Sequence, residues 1–216
     1  MSDNELKYVH DVFEKNWIAP VGPHISRFEE ILSNMHENYP ATALNSGTSA
    51  IHLALIILGV KSGDDVLCSS FTFAATVNPV KYIGANPIFI DSEYETWNMC
   101  PVLLEKVIKE RIKIGKKPKA IVLVHLYGMP AKIDEILYIS KKFDIPIIED
   151  AAEALGSTYK QKSTGTFGDF GVFSFNGNKI ITTSGGGALI SKNEKFISKA
   201  KYLSTQARDN QPHYEH

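Results

Sequence analysis

Apolar positions along the chain follow two patterns. Ile25, Phe28, Ile31, Leu32 and Met35 recur at helical spacing and predict an amphipathic helix over Ile25–Asn38. Ala120–His125 (A-I-V-L-V-H) and Ile145–Asp150 (I-P-I-I-E-D) are instead continuous apolar runs of strand length. Such runs mark strands buried on both faces. Shorter strands are predicted at Ala41–Leu44, Asp65–Ser69 and Pro87–Ile90, and helices at Ala74–Ile83, Val102–Ile112 and Ile133–Phe143. A very apolar helix over Ile51–Leu58 should stop near Gly59. Short helices are predicted at Glu5–Lys15 and Glu194–Leu203, and two prolines and a glycine break the chain across Trp17–His24. Buried strands alternating with helices predict an α/β domain whose parallel sheet is covered on both faces.

Composition narrows the partners rather than the fold. With 44% hydrophobic and 10% aromatic residues over 216 positions, the chain can bury a sizeable core and is not disordered. A net charge of -1 gives no electrostatic case for nucleic acid or an anionic membrane. No apolar run reaches membrane-spanning length, and the polar start M-S-D-N-E-L-K has no signal-like apolar segment. Cys68 and Cys100 lie far apart without C-x-x-C spacing, so neither a disulfide framework nor a zinc site is expected. H-Y-E-H at the end is not H-E-x-x-H and reads as loop, so no metal site is expected. The expectation is a soluble cytoplasmic protein whose partners are small molecules or protein surfaces.

Open α/β sheets bind ligands at the carboxyl ends of their strands, and four stretches fall there. S-G-T-S-A (Ser46–Ala50) offers a glycine, hydroxyls and a helix amino terminus, the parts of a phosphate cradle; a plain Ser/Thr helix cap uses the same residues. Ser69–Thr76 (S-S-F-T-F-A-A-T) supplies aromatics able to stack on a flat ring, although aromatics there also serve cores. Asp150 in E-D-A-A-E-A-L-G (Glu149–Gly156) ends a buried strand, where a carboxylate is costly without donors or a cation. A protonated pyridine nitrogen would serve. Finally, G-V-F-S-F-N-G-N-K-I-I-T-T-S-G-G-G (Gly171–Gly187) sets Lys179 between polar residues and a glycine triplet, with Ser174 five residues earlier. A lone loop lysine is ordinarily a solvated charge, but a buried one loses its proton easily and forms imines. No P-loop pattern occurs, and Gly185–Ile190 lacks the last glycine of G-x-G-x-x-G. Cradle, aromatic face, acid and imine-forming lysine together fit one ligand, pyridoxal 5′-phosphate.

W-I-A-P-V-G-P, S-G-T-S-A, F-T-F-A-A-T, E-D-A-A-E-A-L-G and F-S-F-N-G-N-K-I-I-T-T-S-G-G-G resemble the DegT/DnrJ/EryC1/StrS aminotransferases. The resemblance runs from about Trp17 to the end. It implies the large domain of a fold type I PLP-dependent transferase, three αβα layers around a mostly parallel mixed sheet. N-G-N-K-I-I-T-T-S-G-G-G and S-T-Q-A-R-D-N-Q-P-H-Y-E-H are more specifically similar to the UDP-sugar 4-aminotransferases of the bacillosamine pathway, which act on UDP-2-acetamido-4-keto-2,4,6-trideoxyglucose.

Carried over by position, Lys179 is the catalytic lysine, bonding the cofactor and later moving protons. Asp150 pairs with the ring nitrogen, Phe73 stacks on the ring, and Gly47, Thr48, Ser49 and Ser174 hold the phosphate. Glu153 occupies a position near the ring hydroxyl that is often glutamine or histidine in the wider family. Related sugar dehydratases carry histidine where Lys179 stands, so the lysine implies transamination. The family reading further implies pyridoxal phosphate as cofactor, a nucleotide sugar and glutamate as substrates, and a homodimer with a shared active site. It divides the chain into an N-terminal segment (1–24), a cofactor-binding domain (25–204) and the start of a loop (205–216) leading to a C-terminal small domain absent from this sequence. Substrate contacts are expected from Trp17–His24 and Thr205–His216. Two alternatives stand beside this reading: an aminotransferase for a GDP-linked 4-amino sugar, and a fragment that binds the cofactor without turnover.

Overall fold

In the computed structural model, which describes residues 4–17, 19, 21–209 and 213, seven strands form one sheet. They are β1 (Ala41–Leu44), β2 (Asp65–Ser69), β3 (Asn86–Ile90), β4 (Ala120–Val124), β5 (Ile147–Asp150), β8 (Phe170–Ser174) and β9 (Gly187–Ile190), with β6 (Thr158–Tyr159) and β7 (Lys162–Ser163) making a separate two-stranded ribbon. Across the sheet the order is β1-β9-β8-β5-β4-β2-β3. The run from β8 to β3 is parallel, and β9 alone is antiparallel to both its neighbours. Every residue of β2, β4, β5 and β9 is buried, which explains the continuous apolar run of β4 and the apolar centre of β2.

Helices cover both faces. Alternate strand residues Val66, Cys68, Val122, Ile148 and Val172 pack with α3 (Gly47–Ile57), α4 (Asn78–Tyr82) and α7 (Glu194–Ser204). Their neighbours Leu67, Ile121, Leu123 and Ile147 face α5 (Pro101–Lys113) and α6 (Ile133–Phe143). On that second side α2 (Pro23–Met35) adds Leu32 and Phe28 over Phe173, Phe175 and Ile190. The helix α1 (Glu5–Glu14) buries none of its residues and is tied to the start of α2 by Asp11 and His24, 2.8 Å apart. Among the described residues no helix is long and apolar enough to cross a membrane.

Several boundaries differ from the sequence expectation, for local reasons. The helix expected over Ile25–Asn38 starts at Pro23, whose fixed φ suits a first turn, and ends at Met35 because Glu37 and Asn38 take positive φ. The helix expected over Ala74–Ile83 divides into a 3-10 turn (Ala74–Thr76) and the short α4, with Pro79 in the first turn of the latter. Proline has no N–H to donate to the Ala75 carbonyl, so the helical ladder cannot run through this point. The helix expected at Ile51 begins four residues earlier, at Gly47. S-G-T-S-A is therefore not a loop before a helix but its cap and first turn.

Candidate active site

The carboxyl ends of β4, β5 and β8 and the first turn of α3 surround a cavity of about 660 Å³. Of the residues expected to bind the cofactor, Gly47, Thr48, Phe73, Asp150, Glu153, Ser174 and Lys179 all line it. Ser49 does not. Its amide donates to Ser46 Oγ at 3.1 Å and its hydroxyl to Asn45 Oδ1 at 2.5 Å, as helix-cap geometry requires. At this corner Ser46, Thr48 and Ser174 bring hydroxyls to the cavity lining, beside the first-turn amides of α3 that have no intrahelical partner.

Two glycines make this corner possible. A Cβ at Gly47 would stand 3.2 Å from Ser174 Cβ and 3.4 Å from the Phe173 carbonyl, in the space between helix and sheet. A Cβ at Gly187 would lie 2.2 Å from the Ser46 carbonyl carbon and 2.5 Å from the Gly47 nitrogen. The last glycine of the triplet thus lets α3 start directly on β9.

Lys179 sits in the loop joining β8 to β9, with a side chain 12% exposed. Its Nζ donates to Glu153 Oε1 at 3.2 Å. The lysine is therefore half-withdrawn from solvent and paired with an acid one-third exposed at the cavity wall.

Asp150, at the end of β5, is 6% exposed. Thr76 Oγ1 donates to its Oδ2 at 2.6 Å and the Ala152 amide to its Oδ1 at 3.2 Å. Burial pushes its carboxyl above the ordinary range, opposed first by the Thr76 hydroxyl, then by the Ala152 amide and the Lys179 charge. A buried acid with few donors, aimed into a cavity, favours a cationic ligand atom.

Phe73 is 75% exposed and stands at the cavity mouth near Phe71, whose ring meets Trp97 edge to face at 6.2 Å. It is placed to cover a ligand ring.

The adjacent acid, Glu149, points to the opposite face of the sheet and has a structural task. It accepts from the amides of Gly165 (2.8 Å), Phe167 (2.6 Å) and Gly168 (2.6 Å) and faces His125 Nε2 at 2.9 Å. Since His125 Nδ1 accepts the Ala131 amide at 3.2 Å, the ring proton lies on Nε2 and is donated to Glu149. His125 lines the cavity but was hidden in the apolar run of β4. Thr72, Thr76 and Tyr127 also line it. The two threonines lie within stretches already singled out, but no spacing rule connects them to Asp150. Of the segments expected to contact substrate, Ile18, Pro20, 210–212 and 214–216 lie outside the described residues.

The profile of the DegT/DnrJ/EryC1/StrS aminotransferase family matches residues 1–216. EpsN of Bacillus subtilis (strain 168), provisionally named a pyridoxal phosphate-dependent aminotransferase, is 54% identical over 216 residues, all of this chain and 56% of its own length. GDP-perosamine synthase of Escherichia coli O157:H7 is 40% identical over 206 residues, 95% of this chain and 55% of the relative. The crystal structure of a DegT DnrJ EryC1 StrS aminotransferase from Brucella abortus superposes with a TM-score of 0.92 at 30% identity, covering 99% of this chain and 58% of that one. The chain spans a little over half the length of these relatives.

Proposed function

This chain belongs to the DegT/DnrJ/EryC1/StrS aminotransferase family, and from that premise we propose that it forms the cofactor-binding part of a pyridoxal phosphate-dependent aminotransferase acting on a nucleotide-linked 4-keto sugar. One observation carries the reading. Lys179, Asp150 and the open first turn of α3 face a single cavity, in positions suited to an aldehyde carbon, a ring nitrogen and a phosphate.

The residues fit the cofactor. The space a Cβ at Gly47 would fill lies beside Ser174, giving a cradle of helix amides and hydroxyls that favours a phosphate dianion. Asp150 supplies the buried negative charge that a protonated ring nitrogen needs. When bound, pyridoxal phosphate supplies the aldehyde that captures amino groups and the electron-withdrawing ring that eases loss of a proton at the adjacent carbon. Lys179 contributes the Nζ that bonds the cofactor at rest. When not bonded to the cofactor, the same Nζ would serve as a base and then an acid within the cavity. Glu153, 3.2 Å from Nζ, orients the lysine while it is free. Ser46, Thr48 and Ser174 would hold the phosphate end and so fix the cofactor's orientation relative to Nζ.

We assign glutamate as amino donor and UDP-2-acetamido-4-keto-2,4,6-trideoxyglucose as acceptor, supported by the similarity of N-G-N-K-I-I-T-T-S-G-G-G to enzymes of that class. A homodimer with a shared site fits the exposed Phe73 at the cavity mouth. The 40% identity to a GDP-perosamine synthase favours a second reading, a GDP-linked acceptor. The test has two parts. Added pyridoxal phosphate should give a near-visible absorption band that Lys179→Ala abolishes; a wild-type chain without a band sinks the cofactor reading for this chain. Glutamate-dependent amination of a panel of UDP- and GDP-4-keto sugars then separates the two acceptors.

A further inference from the structure

The Asp150 carboxylate is held from the side by an ordered pair of hydroxyls. Thr76 Oγ1 lies 2.6 Å from Asp150 Oδ2 and 2.7 Å from Thr72 Oγ1. An ionised carboxylate only accepts, so the Thr76 proton is committed to Asp150. Thr76 then accepts the proton of Thr72, and the direction of both bonds is settled: Thr72 to Thr76 to Asp150. Thr76 is 2% exposed, so no water competes for its hydroxyl. Both threonines come from the turn after β2 and its 3-10 helix, some 74 residues from Asp150 in sequence.

The other groups facing Asp150 cannot replace this contact. The Ala152 amide reaches Oδ1 at the longer distance of 3.2 Å. Lys179, from the β8–β9 loop, is paired with Glu153. His125, at the end of β4, carries its proton on Nε2 toward Glu149 and accepts at Nδ1, so it offers Asp150 neither a donor nor, in that tautomer, a charge. Glu149 itself lies on the other face, satisfied by its four donors. From α3, the cavity is lined by Gly47, Thr48 and Ile51, none of them titratable.

We propose that Thr76 is a positioning residue of this site: its hydroxyl, itself held by Thr72, keeps Asp150 ionised with an oxygen presented to a ligand's ring nitrogen. The role rests on reading the cavity as a pyridoxal phosphate site. It concerns a residue that acts through the acid it touches.

The test uses the full 216-residue chain and the variants Thr76→Val, Thr76→Ser and Thr72→Val. Valine keeps the shape and removes the donor; serine keeps the donor and trims a methyl. In the cofactor-free chain, carbon-detected NMR follows the Asp150 carboxyl through a pH titration. Thr76→Val should move its midpoint upward, Thr72→Val should move it less in the same direction, and Thr76→Ser should leave it near wild type. Pyridoxal phosphate titrated into each variant should bind about tenfold more weakly to Thr76→Val, the size expected for losing a donor to a charged acceptor. Binding to Thr76→Ser should stay within about threefold of wild type. An Asp150 midpoint unchanged in Thr76→Val, beside a normal cofactor band in the wild type, removes the role of Thr76 alone. Thr76→Ser behaving like Thr76→Val also overturns it, because the position would then serve packing. A wild-type chain that binds no pyridoxal phosphate removes the site reading and the role together.

Discussion

Replacing Gly187 with alanine should damage the chain far more than replacing Gly185, two residues away in the same triplet. At Gly187 the added Cβ would meet the Ser46 carbonyl carbon at 2.2 Å, its oxygen at 2.3 Å and the Gly47 nitrogen at 2.5 Å. Carbon atoms are at ease at about 3.5–4.0 Å, so the two backbones must separate by roughly 1 Å or more. Neither can retreat freely. Gly187 is paired with Leu44 on one side and Ser174 on the other, and Ser46 caps α3. Overpacking costs about 1–3 kcal/mol where side chains can adjust. Here the obstacle is backbone, so the upper end applies, about 3 kcal/mol. The entropy gained by stiffening the unfolded chain returns only about 0.4–1 kcal/mol. A net loss of about 2 kcal/mol is a large part of the ~5–15 kcal/mol that holds a domain together. At Gly185 the nearest atom is the Asn45 carbonyl oxygen at 4.0 Å, and alanine there should be neutral or slightly stabilising. Urea unfolding of both variants at matched m-values reads the difference. Gly187→Ala within about 0.5 kcal/mol of Gly185→Ala would refute the close-approach argument.

Other expectations follow from single contacts. Glu149→Gln puts an amide NH2 among three backbone N–H donors and the His125 N–H. It should cost about 3–5 kcal/mol in chemical denaturation, as for a broken buried polar cluster; a loss below about 1 kcal/mol contradicts the assignment. Ser174→Ala should weaken pyridoxal phosphate binding several-fold, by about one hydrogen bond, whereas Ser49→Ala should alter stability but not affinity, read by absorbance titration and by melting. The Cys68 thiol is fully buried, and burial pushes it up to about 12, so it should stay unreactive toward a disulfide reagent until the chain unfolds. Immediate reaction of both cysteines would count against the packing of β2. Burial raises Glu93, but the Thr96 hydroxyl, the Glu95 and Thr96 amides and the Lys132 charge outweigh it and hold the carboxyl at about 2 against an ordinary 4.5. That contribution to stability is complete above about pH 4.5 and fades as pH falls toward 2. Urea midpoints of wild type and Glu93→Gln should therefore converge at the acid end of that window.

How much of the site could be read in advance depends on whether its cause is local. The meeting of Asp150 and Lys179 at one cavity was legible because a carboxylate ending a buried strand and a lysine set among glycines each call for a partner. Ser49 was ambiguous because a phosphate cradle and a helix cap use the same residues, and only the first-turn geometry shows its hydroxyl turned to Asn45. Thr76 and His125 were out of reach. Their meaning comes from partners across the sheet, and neither breaks the pattern of its own segment. The break of the Ala74–Ile83 helix ahead of Pro79, by contrast, was available from residue type alone, because proline has no N–H to continue a helical ladder.

The placement of β9 has a further consequence for how the protein is made. β1 pairs only with β9, from Ala41 with Ile190 to Leu44 with Gly187, a separation of about 150 residues. While the chain leaves the ribosome, β1 has no strand to pair with until Ile190 has been synthesised. The cap at Ser46 leans on Gly187 and therefore waits for the same event. The central strands can assemble earlier, because β2, β3, β4 and β5 pair among themselves. The phosphate corner and the lysine loop should thus appear together and late, the expected behaviour of contacts distant in sequence. A nascent chain stalled before β9 would carry Asp150 on a formed strand while its ligand corner was still open.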